Sequence, residues 1–312
     1  MDQQEDPGSA ESGTLESPTY SIVIPTHARP RSLAIALDGI TRLDWPMDDY
    51  EVIVIDDGSP AGNESVAQEF SGRLNLRLIR QARQGPAGAR NTGAEHAQGR
   101  FLAFLDDDCV PDPDWLRALH RAFASDPQAL MGGNTRNALA DNSCSAAAHQ
   151  ISVFLCHHQT GVTGEPKFFT SNNIALSAAV FARVGGFNRA FSRPAGEDRD
   201  FCRRLARCGY RLRFVPDAMV LHAHALSLRG FWRQNFNYGR GAAVFHRLGG
   251  ERQRPARLPE PLQFYIKLIT SPLRSECGLR AWLQVGLLCL SQVAVATGFT
   301  WERALAPGAR RG

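Results

Sequence analysis

Residues Phe101–Cys109 read FLAFLDDDC: five apolar residues, three consecutive aspartates and a cysteine. The apolar run is short, nearly continuous and rich in aromatics, which predicts a strand buried on both faces, as in a parallel sheet covered by helices. The aspartates fall where that strand would end. Three like charges in a row repel one another, so the cluster is costly unless a cation offsets it. A hard divalent ion such as Mg2+ or Mn2+ would do so. Alternate residues of an extended chain share a side, so Asp106 and Asp108 could face one site while Asp107 points elsewhere. The plain alternative is a helix N-cap run on a solvated surface.

Upstream, similar apolar runs recur about every 25–30 residues, the size of a βαβ unit. They are Tyr20–Pro25 (YSIVIP), Glu51–Ile55 (EVIVI) and the weaker Leu76–Ile79. Helical stretches are expected between and after them, at Arg31–Ile40 behind Pro30, at Pro86–Ala97, and at Trp115–Phe123 with Asp112 as cap and Pro113 as first position. Strand and helix in alternation predict a mostly parallel α/β sheet with right-handed crossovers. Thr26–Arg29, Asp56–Ser59 and Asp106–Asp108 all follow strands. Open α/β sheets bind ligands outside the carboxyl ends of their strands, so these clusters mark one candidate site.

Two downstream segments could complete it. Asp217–His222 (DAMVLH) reads as a short strand ending on His222, with His224 two residues on. Such histidines are metal ligands or satisfied core groups. GEDRDFCRRL (Gly196–Leu205) puts Glu197, Asp198 and Asp200 at a helix start. Carboxylates there are favoured by the helix dipole, or one of them is a general base.

Six segments in order resemble the inverting family 2 glycosyltransferases of GT-A fold: SIVIPTHARP, EVIVIDDGS, GPAGARNTGAEHAQGRFLAFLDDDCVPDPDWL, SNNIALSAAVFARVGGF, GEDRDFCRRL and LHAH, from about Tyr20 to about Gly241. The resemblance implies transfer of a sugar from a nucleotide-diphosphate donor to an acceptor hydroxyl, in the synthesis of cell-surface glycans or glycolipids. It implies that Pro25, Thr26 and Arg29 form the nucleotide loop, that Asp57 reads the base edge, and that Arg90 lies near the base or diphosphate. Asp106–Asp108 match the family's DxD element. Asp106 and Asp108 are then metal ligands with Asp107 towards the ribose. His222 matches the late metal-side histidine, and His224 stays open as an alternative. Asp198 matches the catalytic base. Asn172, Asn173 and Glu197 match the segments shaping the donor-sugar and acceptor cleft. The implied cofactor is Mn2+ or Mg2+, and the implied acceptor is a glycan or a lipid-linked carrier.

Beyond His224 the chain changes character. LRGFWRQNFNYGRGAAVFHR (Leu228–Arg247) mixes arginine with aromatics at near-helical spacing. In the family a glutamine-containing helix here covers the acceptor side, which makes Gln234, Tyr238 and Arg240 candidates. The QxxRW of processive synthases is missing, in favour of single transfers. Ala281–Phe299 carries no formal charge. As a helix it would be roughly 28 Å long, close to a bilayer core. A helix packed on the protein or a partner, one lying on a membrane, and a span are all compatible.

Composition bounds the rest. The 312 residues are 43% hydrophobic and 21% charged, which excludes a wholly disordered chain. The net charge of +4 is too small to argue for nucleic acid, and no nucleic-acid partner is expected. That total is uneven: residues 1–18 hold five acids and no base, whereas Arg203–Arg280 holds fifteen bases against four acids. The expected organisation is an acidic disordered tail over 1–18, a catalytic domain over 19–225 and a basic, apolar helical extension over 226–312. The upstream arginines suit an anionic membrane face. Seven cysteines without a CxxC pair, and no basic-then-apolar leader, read as a cytoplasmic chain, with the inner membrane face as a possible station. A nucleotidyltransferase would need a phosphate loop where PTHARP stands, and a Rossmann dehydrogenase a GxGxxG. An inactive scaffold of the same fold would not need the retained acids.

Overall fold

Ile22 and Ile24 of the first strand enter one hydrophobic layer, whereas Val23 between them enters another. That period of two follows from the pleat, and it recurs at Phe101, Ala103 and Leu105 against Leu102 and Phe104. The sheet is therefore covered on both faces. The computed structural model describes residues 17–158, 166–191, 195–248, 261–275 and 277–305. Up to residue 16, the acidic tail lies outside these, as do the bases within 249–260.

The first half alternates strand and helix: β1 (Tyr20–Thr26), α1 (Pro30–Ile40), β2 (Tyr50–Asp57), α2 (Glu64–Phe70), β3 (Leu76–Gln81), α3 (Gly85–Glu95) and β4 (Phe101–Leu105). The second half runs β5 (Cys109–Pro111), α4 (Trp115–Ser125), β6 (Leu130–Asn137), α5 (Ser143–His158), β7 (Asn173–Ser177), α6 (Ala178–Val184), α7 (Glu197–Arg207) and β8 (Leu212–His222). The helices α8 (Leu228–Leu248), α9 (Leu262–Thr270), α10 (Pro272–Ser275) and α11 (Gly278–Leu305) close the described chain.

The strands form one sheet in the order β3-β2-β1-β4-β7-β6-β8-β5. Pairing is parallel from β3 to β4 and again between β6 and β8, as crossover helices require. β7 enters antiparallel to both neighbours, and β5 is antiparallel to β8. The sheet is thus mixed, with its parallel part where the strand–helix alternation is regular. One sequence expectation changes in detail: Asp114, not Asp112, is the residue before α4. Asp112 instead accepts a hydrogen bond from the Asp114 amide, shaping the turn ahead of the helix.

One core layer packs α1, α2 and α4 on the sheet through Leu33, Leu37, Phe70, Trp115 and Leu119. The other gathers Phe104, Phe181, Phe187 and Phe201 beneath α6 and α7. Full burial of such side chains stabilises by about 1.5–3 kcal/mol each. A third cluster joins α5, α8, α9 and α11 through Ile151, Phe231, Phe264, Leu268 and Leu288. There α8 and α11 touch backbone to backbone: a Cβ added at Gly298 would run into the Phe236 carbonyl, and one at Gly239 into that of Val295. The C-terminal helices are consequently built into the same body as the sheet.

Candidate active site

The carboxyl ends of β1, β2 and β4 open onto a cavity of about 1340 Å3. Its walls include Pro25, Thr26, Arg29, Asp57, Arg90, Asp106–Asp108, Asn172, Asn173, Glu197, Asp198, His222, His224 and Gln234. The sheet topology thus assembles nearly the whole set of residues singled out in sequence. Arg240 is the exception: it turns to α11 and pairs with Glu302 at 2.7 Å, away from the cavity wall.

The three aspartates divide their work. Asp107 accepts from Thr26 Oγ1 at 2.7 Å and from Arg29 Nη1 at 3.1 Å, which ties the end of β4 to the loop after β1. Burial pushes its carboxyl up to about 6, against the pull of Arg29. Asp108 accepts from Arg29 Nη1 at 3.0 Å, from His222 Nε2 at 3.1 Å and from His224 Nδ1 at 2.9 Å. Burial alone would raise it, but the two imidazoles and Arg29 hold it well below the usual carboxylate range. Asp106 turns the other way and pairs with Arg90 Nη2 at 2.6 Å.

The loop after β1 owes its shape to Ala28, which sits in the left-handed region at φ 55°. That conformation costs a non-glycine residue energy and is held by the bond from the Ala28 amide to Ser59 Oγ at 2.8 Å. It directs Arg29 at the acids. The guanidinium stays charged because Asp107 and Asp108 outweigh its burial.

Asp57 is bound at the N-terminus of α3. It accepts from the amides of Gln84 and Gly85, both at 2.8 Å, and from Gln81 Nε2 at 2.7 Å. A carboxylate in that position satisfies orphan donors of the helix start. Its neighbour Asp56 caps Ser59 through one oxygen and leaves the other, Oδ2, buried without a partner.

Arg90 is only 3% exposed and lies between two acids. Besides Asp106, it donates from Nη1 to Glu197 Oε1 at 3.2 Å, and its guanidinium stacks over Phe187. Both ends of its fork are therefore occupied from within the fold. Asn173 is similarly engaged, accepting from Trp115 Nε1 at 2.9 Å and donating to the Ala218 carbonyl at 3.0 Å. Asn172 donates to the Cys109 sulfur at the start of β5.

Glu197 and Asp198 open α7. Gly196 precedes them at φ 89°, a conformation that favours glycine, and α8 presses its Gly241 against the Ala195 backbone beside it. Glu197 Oε2 accepts from the Ala195 amide at 3.0 Å. Burial, with help from the adjacent Asp198, pushes the Glu197 carboxyl up to about 7. Burial also raises Asp198, whose Oδ1 accepts from the Arg199 amide at 2.7 Å. A carboxylate on a cavity wall with a raised pKa is a stronger base than one in water.

Among the described residues, Asp108, His222 and His224 offer one oxygen and two nitrogens, all within 4.8 Å of one another. That set fits a divalent ion. Both histidines take part, although the sequence put His222 ahead of His224, and Asp106 lies outside the group. Periodicity could not order the histidines, because His222 ends β8 and His224 lies just past it, and the pairing of β8 with β5 and β6 is what brings that end to Asp108. Sequence reading also passed over Asn91, which clamps Phe187 through its amide and carbonyl at 2.8 Å each, and His149, Tyr265 and Gln292 on the cavity wall. The helices of the last three carry no motif, whereas Asn91 stands within the GPAGARNTGAE stretch without being singled out.

The comparisons with known proteins agree with this geometry. A sequence model of the family "Glycosyl transferase family 2" matches residues 21–194. Glycosyltransferase AglE of Haloferax volcanii is 29% identical over 237 residues, covering 73% of this chain and 74% of its own. Pre-mycofactocin glycosyltransferase of Mycobacterium tuberculosis is 32% identical over 281 residues, covering 86% of this chain. This chain spans only 55% of that relative's length, and 34% of the length of chondroitin synthase of Escherichia coli. In fold, it is similar to the mannosyltransferase PcManGT of Pyrobaculum calidifontis, solved with GDP-Man and Mn2+, at TM-score 0.65 and 19% identity over 92% of this chain and 88% of the other. Residues 1–349 of TarS from S. aureus, solved with UDP, superpose at TM-score 0.51 and 16% identity, over 92% and 90% of the two chains. With the family's pattern covering more than half of its length, the chain belongs to glycosyltransferase family 2.

Proposed function

We propose that this protein transfers a sugar from a nucleotide-diphosphate donor to an acceptor hydroxyl, with inversion at the anomeric carbon. The observation that carries the reading is Asp198: a carboxylate raised by burial, on the wall of the same cavity as the Asp108–His222–His224 group. Pro25, Thr26 and Asp57 lie where the nucleotide would sit, at the carboxyl ends of β1 and β2. Asp198 takes the proton of the acceptor hydroxyl as its oxygen attacks the anomeric carbon. The bond from that carbon to the diphosphate breaks in the same step, and the nucleotide diphosphate leaves with the electron pair. A single in-line displacement inverts the carbon and needs no second carboxylate nucleophile.

Asp108, His222 and His224 would hold the divalent ion. Their mixed oxygen and nitrogen donors suit Mn2+ better than the oxygen-preferring Mg2+. When bound, that ion stabilises negative charge on the diphosphate. Arg29 places a permanent positive charge on the same side. Arg90 and Asn173, engaged within the fold, shape the site, and Gln234 and Tyr238 of α8 line the side an acceptor would enter. The acceptor is a glycan or a lipid-linked carrier of cell-surface glycan or glycolipid synthesis, reached from the cytoplasm.

The test is Asp198→Asn. It should lower turnover on the order of 10²–10⁴-fold while donor binding, read by thermal shift with Mn2+ across UDP-, GDP- and dTDP-sugars, stays intact. Near-normal turnover would sink the assignment of the base. A chain that binds no nucleotide sugar at all would sink the transferase reading.

A further inference from the structure

The face of α11 turned away from the protein has an unusual pattern. The helix runs for 28 residues, and no charged side chain occurs from Ala281 to Trp301. Ala281, Gln284, Leu287, Leu288, Ser291, Ala294 and Gly298 are buried, at the i, i+3, i+4 spacing of one stripe. The rest of its surface is open: Trp282 is 64% exposed, Trp301 56%, and Leu279, Leu283 and Val293 at least half, with the small Gly286, Cys289, Ala296, Thr297 and Thr300 exposed among them. Only 33% of its most apolar window is buried, so α11 is not a core helix. Leu262 and Ile266 of α9 and Leu273 of α10 are exposed as well, on helices that pack against it.

Charge decides what such a face meets. Lys267, Arg274 and Arg280 are exposed around the start of α11, and beyond its uncharged run come Glu302, neutralised by Arg240, and the exposed Arg303. Trp282 and Trp301 stand near the two ends of that run. Tryptophan has an apolar body with one polar N–H and favours the boundary between lipid headgroups and chains. An apolar stripe bounded by tryptophans and then cations matches an anionic bilayer surface. α8 argues against a span: it packs on α11 and would draw its Arg229 and Arg233 towards hydrocarbon, which is costly. The inner side of these helices supplies a reason for bilayer contact: α9 and α11 contribute Phe264, Tyr265, Leu268, Gln292 and Val295 to the cavity wall.

We propose that α9, α10 and α11 form a docking plate that lies in the headgroup region of an anionic bilayer, with the outer stripe of α11 inserted. The side of the cavity walled by α9 and α11 then faces the membrane. The surface stands on its own geometry and does not depend on the identity of the transferred sugar.

The full chain should float with liposomes of phosphatidylcholine containing about 30 mol% phosphatidylglycerol, much less with phosphatidylcholine alone, and less again at high salt. Combining Trp282→Ser, Leu283→Ser and Trp301→Ser should lower the bound fraction at least about tenfold. Nucleotide-sugar thermal shifts of that variant report that it is folded. A second measurement needs no variant: lipids brominated on the acyl chain should quench the tryptophan emission of the wild type. Absence of flotation and quenching in the wild type would overturn the proposal. So would equal flotation of the folded variant, or a dimer that the three substitutions dissolve in place of lipid binding.

Discussion

Arg90 reaches Glu197 across the floor of the cavity, Nη1 to Oε1 at 3.2 Å, while its other nitrogen holds Asp106 at 2.6 Å. The guanidinium thereby joins the end of β4, which bears the acidic cluster, to the first turn of α7, which bears Asp198. The contact with Glu197 is buried and that with Asp106 half-buried, so the first is screened little by solvent. The two halves of the site, far apart in sequence, are set against each other by one side chain.

Removing that side chain leaves two carboxylates facing each other without a counter-charge. Arg90→Met should lower the unfolding free energy by about 3–5 kcal/mol in urea titrations. Arg90→Lys should recover only part of it, since an ammonium group lacks the fork that grips two acids. A loss below about 1 kcal/mol in Arg90→Met would contradict the bridging role.

Glu197 predicts a pH dependence of stability. Its carboxyl is pushed from 4.5 to about 7 by burial and by Asp198. The folded chain keeps a proton that the unfolded chain gives up, so this group makes stability fall as pH rises from about 4.5 to about 7. Glu197→Gln removes the difference. The drop in Tm between about pH 5 and about pH 7.5 should therefore be smaller in the variant than in the wild type.

The metal group predicts a binding phenotype separate from turnover. His224→Ala should weaken Mn2+ binding, followed by electron paramagnetic resonance, by at least about tenfold. The His222 proton is held more tightly than usual, its bond to Asp108 outweighing burial. Because protons must leave the imidazoles for an ion to bind, affinity should rise with pH through the histidine range. Equal affinity in His222→Ala, His224→Ala and wild type would place the ion elsewhere.

Two glycines of α11 should respond oppositely to alanine. At Gly298 a Cβ meets the Phe236 backbone, so Gly298→Ala should destabilise by about 1–3 kcal/mol. At Gly286 a Cβ meets nothing within 4 Å, so Gly286→Ala should stabilise by about 0.5–1 kcal/mol through helix propensity. Thermal melts of both variants check the packing of α11 on α8.

The sequence by itself determined the strand–helix alternation through β4, the acids at the strand ends and the Asp198 segment. Each is local: buried strands need continuous apolar runs, and helix starts need caps and carboxylates. It also marked α11 as an uncharged stretch long enough to matter, without saying which side of it is covered. Tertiary structure alone decided the contacts between distant segments. The antiparallel entry of β7, the pairing of Arg90 with Glu197 rather than with a ligand, the joining of His224 to His222 at Asp108, and the withdrawal of Arg240 to Glu302 all join residues whose partners are remote in the chain. Hydrophobic periodicity reports which face of an element is buried, and carries no information on which buried charge will meet it there. That choice is made when the helices close over the sheet, and charges taken out of water have to find one another.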